Sequence, residues 1–176
     1  MHKFIILAIT SWFLVFSCAE KPADKGVKLQ WMTLQEAQVA MQKEKKPLLI
    51  DLYTDWCGWC KVMDKKTYSN KNVVEYLQKN FYPVKLNAET KESLNYNNKT
   101  YSYNQANRAN DIAIYLTYGQ LSYPTTIIIA DEKSGPQPIP GFMEPKDFEP
   151  ILKYFGEGKF GKQRFEEYQK TFKSSW

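Results

Sequence analysis

Along the chain, apolar positions at helical spacing alternate with short runs that are almost wholly apolar or β-branched, and the change from one to the other marks the elements. Thr33-Leu34-Gln35-Glu36 has the pattern of a capping box, a hydroxyl at the N-cap and Glu three residues on. It predicts a helix over about 34–45, with Leu34, Ala37, Ala40 and Met41 on one face and Pro47 beyond its end. Leu48-Leu49-Ile50-Asp51-Leu52-Tyr53 is an almost unbroken apolar run of strand length, which suits a central strand covered on both faces. Residues 81–87 are a second strand candidate, and helical spacing returns over 73–79 after a kink or new cap at 69–72. The segment 88–123 is rich in Asn and Tyr. Within it Asn97-Asn98 predicts a tight hairpin turn, and Ser102 with Gln105 predicts the cap of a helix running to about Tyr118, stopped by Gly119. Residues 125–130 are strongly β-branched, 137–140 read as a proline-bearing edge strand, and Pro145 opens a helix that Gly156 should end. Residues 158–176 are a basic, aromatic tail with room for one more helix. The order β-α-β-α-β-β-α predicts an α/β fold: a central mixed sheet flanked by helices on both faces, with an inserted hairpin and helix before Pro124.

The first 17 residues do not belong to this pattern. Lys3 followed by the apolar stretch 4–16 has the make-up of a signal peptide, and the stretch is too short to span a bilayer. Ser17 directly before Cys18 resembles a bacterial lipobox, although Phe16 fits it poorly. The implied organisation is a signal peptide over 1–17, a lipidated Cys18 with a polar tether over 18–30, a folded domain over 31–156 and a tail over 157–176. Lipidation makes the membrane a partner and predicts an exported, anchored protein facing the periplasm of a Gram-negative bacterium.

Composition narrows the chemistry. The chain is 43% hydrophobic and 15% aromatic, enough for a packed core. The net charge of +5 is spread among interleaved lysines and acids. With no basic run or stripe, nucleic acid is not an expected partner. There are three cysteines and one histidine, and the histidine is His2. Outside the signal segment too few ligands remain for a structural zinc site, so no metal is expected.

The chemistry-bearing pattern is Trp56-Cys57-Gly58-Trp59-Cys60-Lys61. Two thiols at i and i+3 on a helix N-terminus can close a disulfide. There the first sulfur meets unpaired backbone N–H groups and the positive end of the helix dipole, which favours thiolate. A static bridge is the blander reading, but it would close a loop too small to stabilise much. Asp51 is a carboxylate in an apolar run, costly there unless paired or protonated.

These residues resemble the thioredoxin-like family, most closely the bacterial envelope members with a Trp-Cys-x-x-Cys-Lys centre. The C-terminal reductase domain of the membrane electron-relay protein that supplies periplasmic thiol pathways has a related pattern. The resemblance covers roughly residues 30–156. It implies catalytic roles for Cys57 and Cys60, a buried acid at Asp51, and a strand lysine at Lys85 near that acid. It also implies a cis-proline at Pro124 facing the active site and a glycine at Gly141 beside the substrate groove. Trp56, Gly58, Trp59 and Tyr123 complete the expected substrate-binding surface. Trp59 replaces the proline that thioredoxins carry between the cysteines, and the stretch from Asn87 to Pro124 is longer than in a minimal thioredoxin. The function implied is thiol–disulfide exchange, as a reductase of protein disulfides in the envelope, with the Cys57–Cys60 pair as the redox group and no other cofactor. Expected partners are disulfide-containing or thiol-bearing envelope proteins and a membrane electron donor, with the protein itself a monomer. A disulfide oxidase or isomerase of the same fold, and a Cu(I)-binding metallochaperone, are the alternatives.

Overall fold

The computed structural model describes residues 28–176. The signal-peptide reading, Cys18 and nearly all of the tether lie outside the described residues. The elements are α1 (Leu34–Lys43), β1 (Leu48–Tyr53), α2 (Gly58–Lys66), α3 (Lys71–Asn80), β2 (Tyr82–Asn87), β3 (Leu94–Tyr96), β4 (Lys99–Tyr101), β5 (Tyr103–Asn104), β6 (Ala109–Asn110), α4 (Asp111–Leu116), β7 (Thr125–Ile129), β8 (Gln137–Pro140), α5 (Pro145–Gly156) and α6 (Phe165–Thr171). None of the described helices is long and apolar enough to cross a membrane.

The main sheet has the order β2-β1-β7-β8. β1 and β2 run parallel, and the other neighbours are antiparallel. Alternation along β1 divides the core. Leu48, Ile50 and Leu52 join Val84, Leu86, Ile127 and Ile129 under α1 and α4. Leu49 and Ile128 point the other way, into a second cluster with Met63, Val73, Leu77, Phe148 and Leu152 from α2, α3 and α5. Side-chain period two therefore places Asp51 on the face that carries α2. Both faces are covered, which is why β1 reads as a continuous apolar run. Each fully buried Leu or Ile contributes roughly 1.5–3 kcal/mol.

The local signals mostly act as their chemistry dictates. In the capping box the Thr33 hydroxyl accepts from the Glu36 N–H at 3.2 Å, while Glu36 accepts from the Thr33 N–H at 2.8 Å. Asn97 and Asn98 both adopt the left-handed region, with φ of 49° and 61°, and close the two-residue turn between β3 and β4. The expected cap at Ser102 and Gln105 is corrected. Asn104 instead accepts from the N–H groups of Ala106 and Asn107, which turns the chain back as the β5–β6 ribbon. The helix begins nine residues later than Ser102, at Asp111. Its cap is Asn110, which accepts from the Ile112 N–H and donates to the Thr90 and Glu92 carbonyls. An Asn that satisfies three loop groups at once outcompetes a serine cap. Gly156 does not stop α5 but belongs to its last turn, where a Cβ would lie 2.7 Å from the Tyr76 hydroxyl. The left-handed residue that follows is Gly158, at φ 64°.

The tail folds back onto α5. Glu149 is fully buried and accepts from the Ser174 hydroxyl at 2.6 Å, the Ser175 N–H at 2.8 Å and the Ser175 hydroxyl at 3.1 Å. Lys153 pairs with it at 2.9 Å. Burial works against the Glu149 carboxylate, but these donors outweigh it and hold its pKa at about 2. Because this lies below the ordinary 4.5, the stabilisation is complete above pH 4.5 and lost as pH falls toward 2. Glu149→Gln should lower unfolding stability at neutral pH by about 3 kcal/mol, since it strands a partly buried lysine and the tail's donors. Urea denaturation measures this directly, and the difference from wild type should shrink below pH 4.

Candidate active site

β1 ends by delivering Thr54 to Trp56 onto the start of α2. The Cys57 N–H donates to the Thr54 carbonyl at 3.1 Å, and Cys57 takes the N-cap position. Its Sγ does what a capping oxygen does elsewhere, accepting the Cys60 N–H at 3.1 Å. Cys57 and Cys60 are joined by a disulfide. A negative charge developing on Cys57 Sγ during exchange would meet that N–H and the positive helix end. The two cysteines are only 4% and 3% exposed, whereas the neighbouring Trp56 and Trp59 are 66% and 62% exposed.

Three loops meet around the sulfurs. The Tyr123–Pro124 peptide bond is cis. The Gly141 N–H donates to the Pro124 carbonyl at 2.8 Å, joining the loop after β8 to the loop before β7. Gly141 sits at φ 100°, a conformation that favours glycine. Tyr123 packs edge-on against Trp56, with ring centroids 5.8 Å apart. Phe142 packs against Trp59 at 5.6 Å. The Trp56 indole N–H also donates to Glu89 at 3.0 Å, which ties it to the segment following β2.

Beneath α2 lies an ion triad. Asp51 and Lys85 are register partners in the parallel β1–β2 pair, and their side chains meet at 2.8 Å. Lys85 also reaches Asp64 on α2 at 2.5 Å. Its ammonium stands over the rings of Tyr53 and Trp31, 4.9 and 5.1 Å from their centroids. The triad runs from inside to outside, with side-chain exposures of 2% for Asp51, 23% for Lys85 and 41% for Asp64. A cleft of about 540 Å³ lined by Leu29, Trp31, Asp64, Tyr68 and Lys85 adjoins it. Asp51 Oδ2 accepts from Lys85, while Oδ1 is buried with no donor among the described residues. Burial raises the Asp51 pKa from its ordinary 3.8 to about 6, against the opposing pull of Lys85. Lys85 is itself raised: burial opposes its charge, but the two carboxylates outweigh that.

The structure places Cys57 at the N-cap and Gly58, Trp59 and Cys60 in the first turn of α2, and joins Asp51 and Lys85 to the same helix through Asp64; Trp56, Tyr123, Pro124 and Gly141 lie in loops tied to the cysteine segment directly or through one another. Cys18 lies outside the described residues. Asp64, Glu89 and Phe142 were not singled out. Asp64 had a signal, since it stands one helical turn beyond Cys60 on the same face. Phe142 and Glu89 had none, because nothing local indicates which indole a distant loop will meet.

Because the folded-state pKa of Asp51 lies above its unfolded value, the folded protein binds the extra proton between pH 3.8 and about 6. Its ionisation therefore costs stability as pH rises through that window. Asp51→Asn should stabilise the oxidised protein at pH 7.5 by on the order of 2 kcal/mol, with Asp64 still pairing Lys85. Thermal unfolding at pH 4 and pH 7.5 measures this, and the gain should vanish at the lower pH.

Comparison with known proteins places this geometry. A family model described as thioredoxin-like matches residues 30–127. The chain is 31% identical over 143 residues to the thiol:disulfide interchange protein DsbD of Salmonella typhi, covering 80% of this chain and 22% of that protein. It is 30% identical over 128 residues to the protein of the same name from Escherichia coli K12, covering 70% and 20%. The chain therefore spans about a fifth of the length of these curated relatives. Among solved structures, the DsbH oxidoreductase superposes with a TM-score of 0.55 at 14% identity, covering 80% of this chain and 93% of that one. A putative disulphide-isomerase from Bacteroides thetaiotaomicron gives 0.51 at 22%, covering 76% and 95%. The likeness to both structures is one of fold. With the matching family model, the fold and the Cys57–Cys60 disulfide at the head of α2, the chain belongs to the thioredoxin-like family of thiol–disulfide oxidoreductases.

Proposed function

We propose that the protein is a reductase of protein disulfides in the cell envelope, exported and held at a membrane by a lipid on Cys18. The observation that carries the redox reading is the disulfide at the N-cap of α2 above a buried carboxylate of raised pKa. In the reduced protein Cys57 presents a thiolate. It attacks one sulfur of a substrate disulfide, forming a mixed disulfide and releasing the other sulfur as a thiolate that takes a proton from water. Asp51 accepts the proton of Cys60 as that thiol becomes a nucleophile, and Lys85 stabilises the carboxylate between turnovers. Cys60 then attacks Cys57 Sγ. The bond to substrate breaks, the reduced substrate leaves, and the Cys57–Cys60 disulfide remains. Two electrons pass from the protein dithiol to the substrate. A donor must then reduce the pair again, and the envelope setting points to a membrane-bound one. The resemblance to part of DsbD supports thiol-bearing envelope proteins as partners.

Three measurements test the proposal. Cys60→Ser should accumulate mixed disulfides on Cys57 that thiol reductants release, visible as adducts on non-reducing gels. The absence of adducts in cells would refute the order of attack. Equilibration of the full-length protein in graded thiol–disulfide buffers should place the pair near or below about −250 mV, in the reductase range. A potential above about −180 mV would instead make it an oxidant or isomerase. In Asp51→Asn the resolving step should slow more than the attack step near pH 7, and its pH dependence should lose the inflection near 6.

A further inference from the structure

Large apolar side chains left in solvent are few among the described residues, and two of them, Trp56 and Trp59, immediately flank the two cysteines. Neither indole is loose. Trp56 is braced by Tyr123 and by its hydrogen bond to Glu89, and Trp59 by Phe142. The braces come from separate loops, so both rings are presented in fixed positions with much of their area still open. An aromatic ring that is already ordered loses little entropy when a partner covers it, which is the usual make-up of a binding anchor. Between the two indoles lies Gly58, where an added Cβ would meet nothing within 4 Å. The sulfurs themselves are nearly covered, so the exposed rings next to them in the chain are what a partner meets first.

We propose that Trp59, held in place by Phe142, is a specificity-determining residue. It seats an apolar side chain next to the reacting cysteine of a polypeptide, so that the protein prefers polypeptide disulfides with an apolar neighbour over those with a small polar one. This rests on the oxidoreductase reading above and deepens it by naming the substrate class. The occupant follows from what surrounds the seat. The sulfurs of Cys57 and Cys60 call for a disulfide, the open side of Gly58 puts no side chain in the way of a main chain, and the exposed ring of Trp59 rewards an apolar rather than a small polar side chain.

The test uses the reduced full-length protein and two disulfide-linked peptides of identical sequence, except that the residue after the cysteine is Leu in one and Ser in the other. Oxidation of the protein is followed by acid quenching and alkylation, and the quantity read is the ratio of the Leu-peptide rate to the Ser-peptide rate. Wild type should show a ratio of about fivefold or more. Trp59→Ala and Phe142→Ala should each bring it near one, and the double variant should lower it no further than Trp59→Ala alone, because the two rings act as a unit. Trp59→Phe, which keeps a ring on Phe142, should restore much of the preference. A wild-type ratio below about fivefold, or a ratio that survives both alanine substitutions, overturns the seat while leaving the oxidoreductase reading intact. Failure of both peptides to oxidise wild type would refute the oxidoreductase reading itself.

Discussion

A carboxylate has to be kept inside the sheet without a full set of partners, and the site is arranged around that constraint. Asp51 lies in a buried central strand, on the face that receives α2, with Lys85 as its register partner in β2 and Thr126 as its partner in β7. Lys85 in turn is shared with Asp64 on the helix that begins at the cysteines. The ion pair is therefore also a brace between sheet and helix. It ties α2, through Asp64, to β1 and β2 and keeps a carboxylate oxygen buried on the face that the helix covers. Moving Asp51 by one residue would turn it into the opposite core under α1 and α4 and dissolve the arrangement.

The chain buries a second carboxylate, and the contrast explains what the first is for. Glu149 receives two serine hydroxyls, a backbone N–H and a lysine, and its pKa falls to about 2. Asp51 receives one lysine, keeps one oxygen without a donor, and its pKa rises to about 6. The number of donors decides the sign. Glu149 is charged at every ordinary pH and serves as a clasp for the tail. Asp51 is poised where a proton can come and go, which is what the proposed relay of protons for a thiol requires.

Around the sulfurs the fold supplies shape rather than charge. The cis Tyr123–Pro124 segment, the Gly141–Phe142 turn and the segment after β2 each send an aromatic or acidic side chain to a tryptophan of the cysteine loop. Such a surface suits an extended, partly apolar chain carrying a disulfide. Part of it comes from the segment between β2 and β7, whose hairpin, ribbon and short helix extend the apolar core under Tyr96 and Tyr101.

Much of this was legible in the residues themselves. An almost unbroken apolar run marked β1 and a β-branched run marked β7, and the capping box at Thr33 and the Asn97–Asn98 turn formed as their local chemistry requires. The spacing of Cys57 and Cys60 announced both the helix start and its chemistry. Those signals are readable because they act over a few residues. The ribbon at 103–110 was not legible, because the helix cap falls to Asn110 through loop carbonyls at Thr90 and Glu92, far back in the chain, and not to Ser102. The same holds for Phe142 on Trp59, Glu89 on Trp56, the serines on Glu149 and the sharing of Lys85 between two acids. The sequence by itself determined the elements, the reactive pair and the presence of a costly acid beside it. Only the tertiary structure decided which distant side chains would meet, because those meetings depend on sheet register and loop closure rather than on local preference.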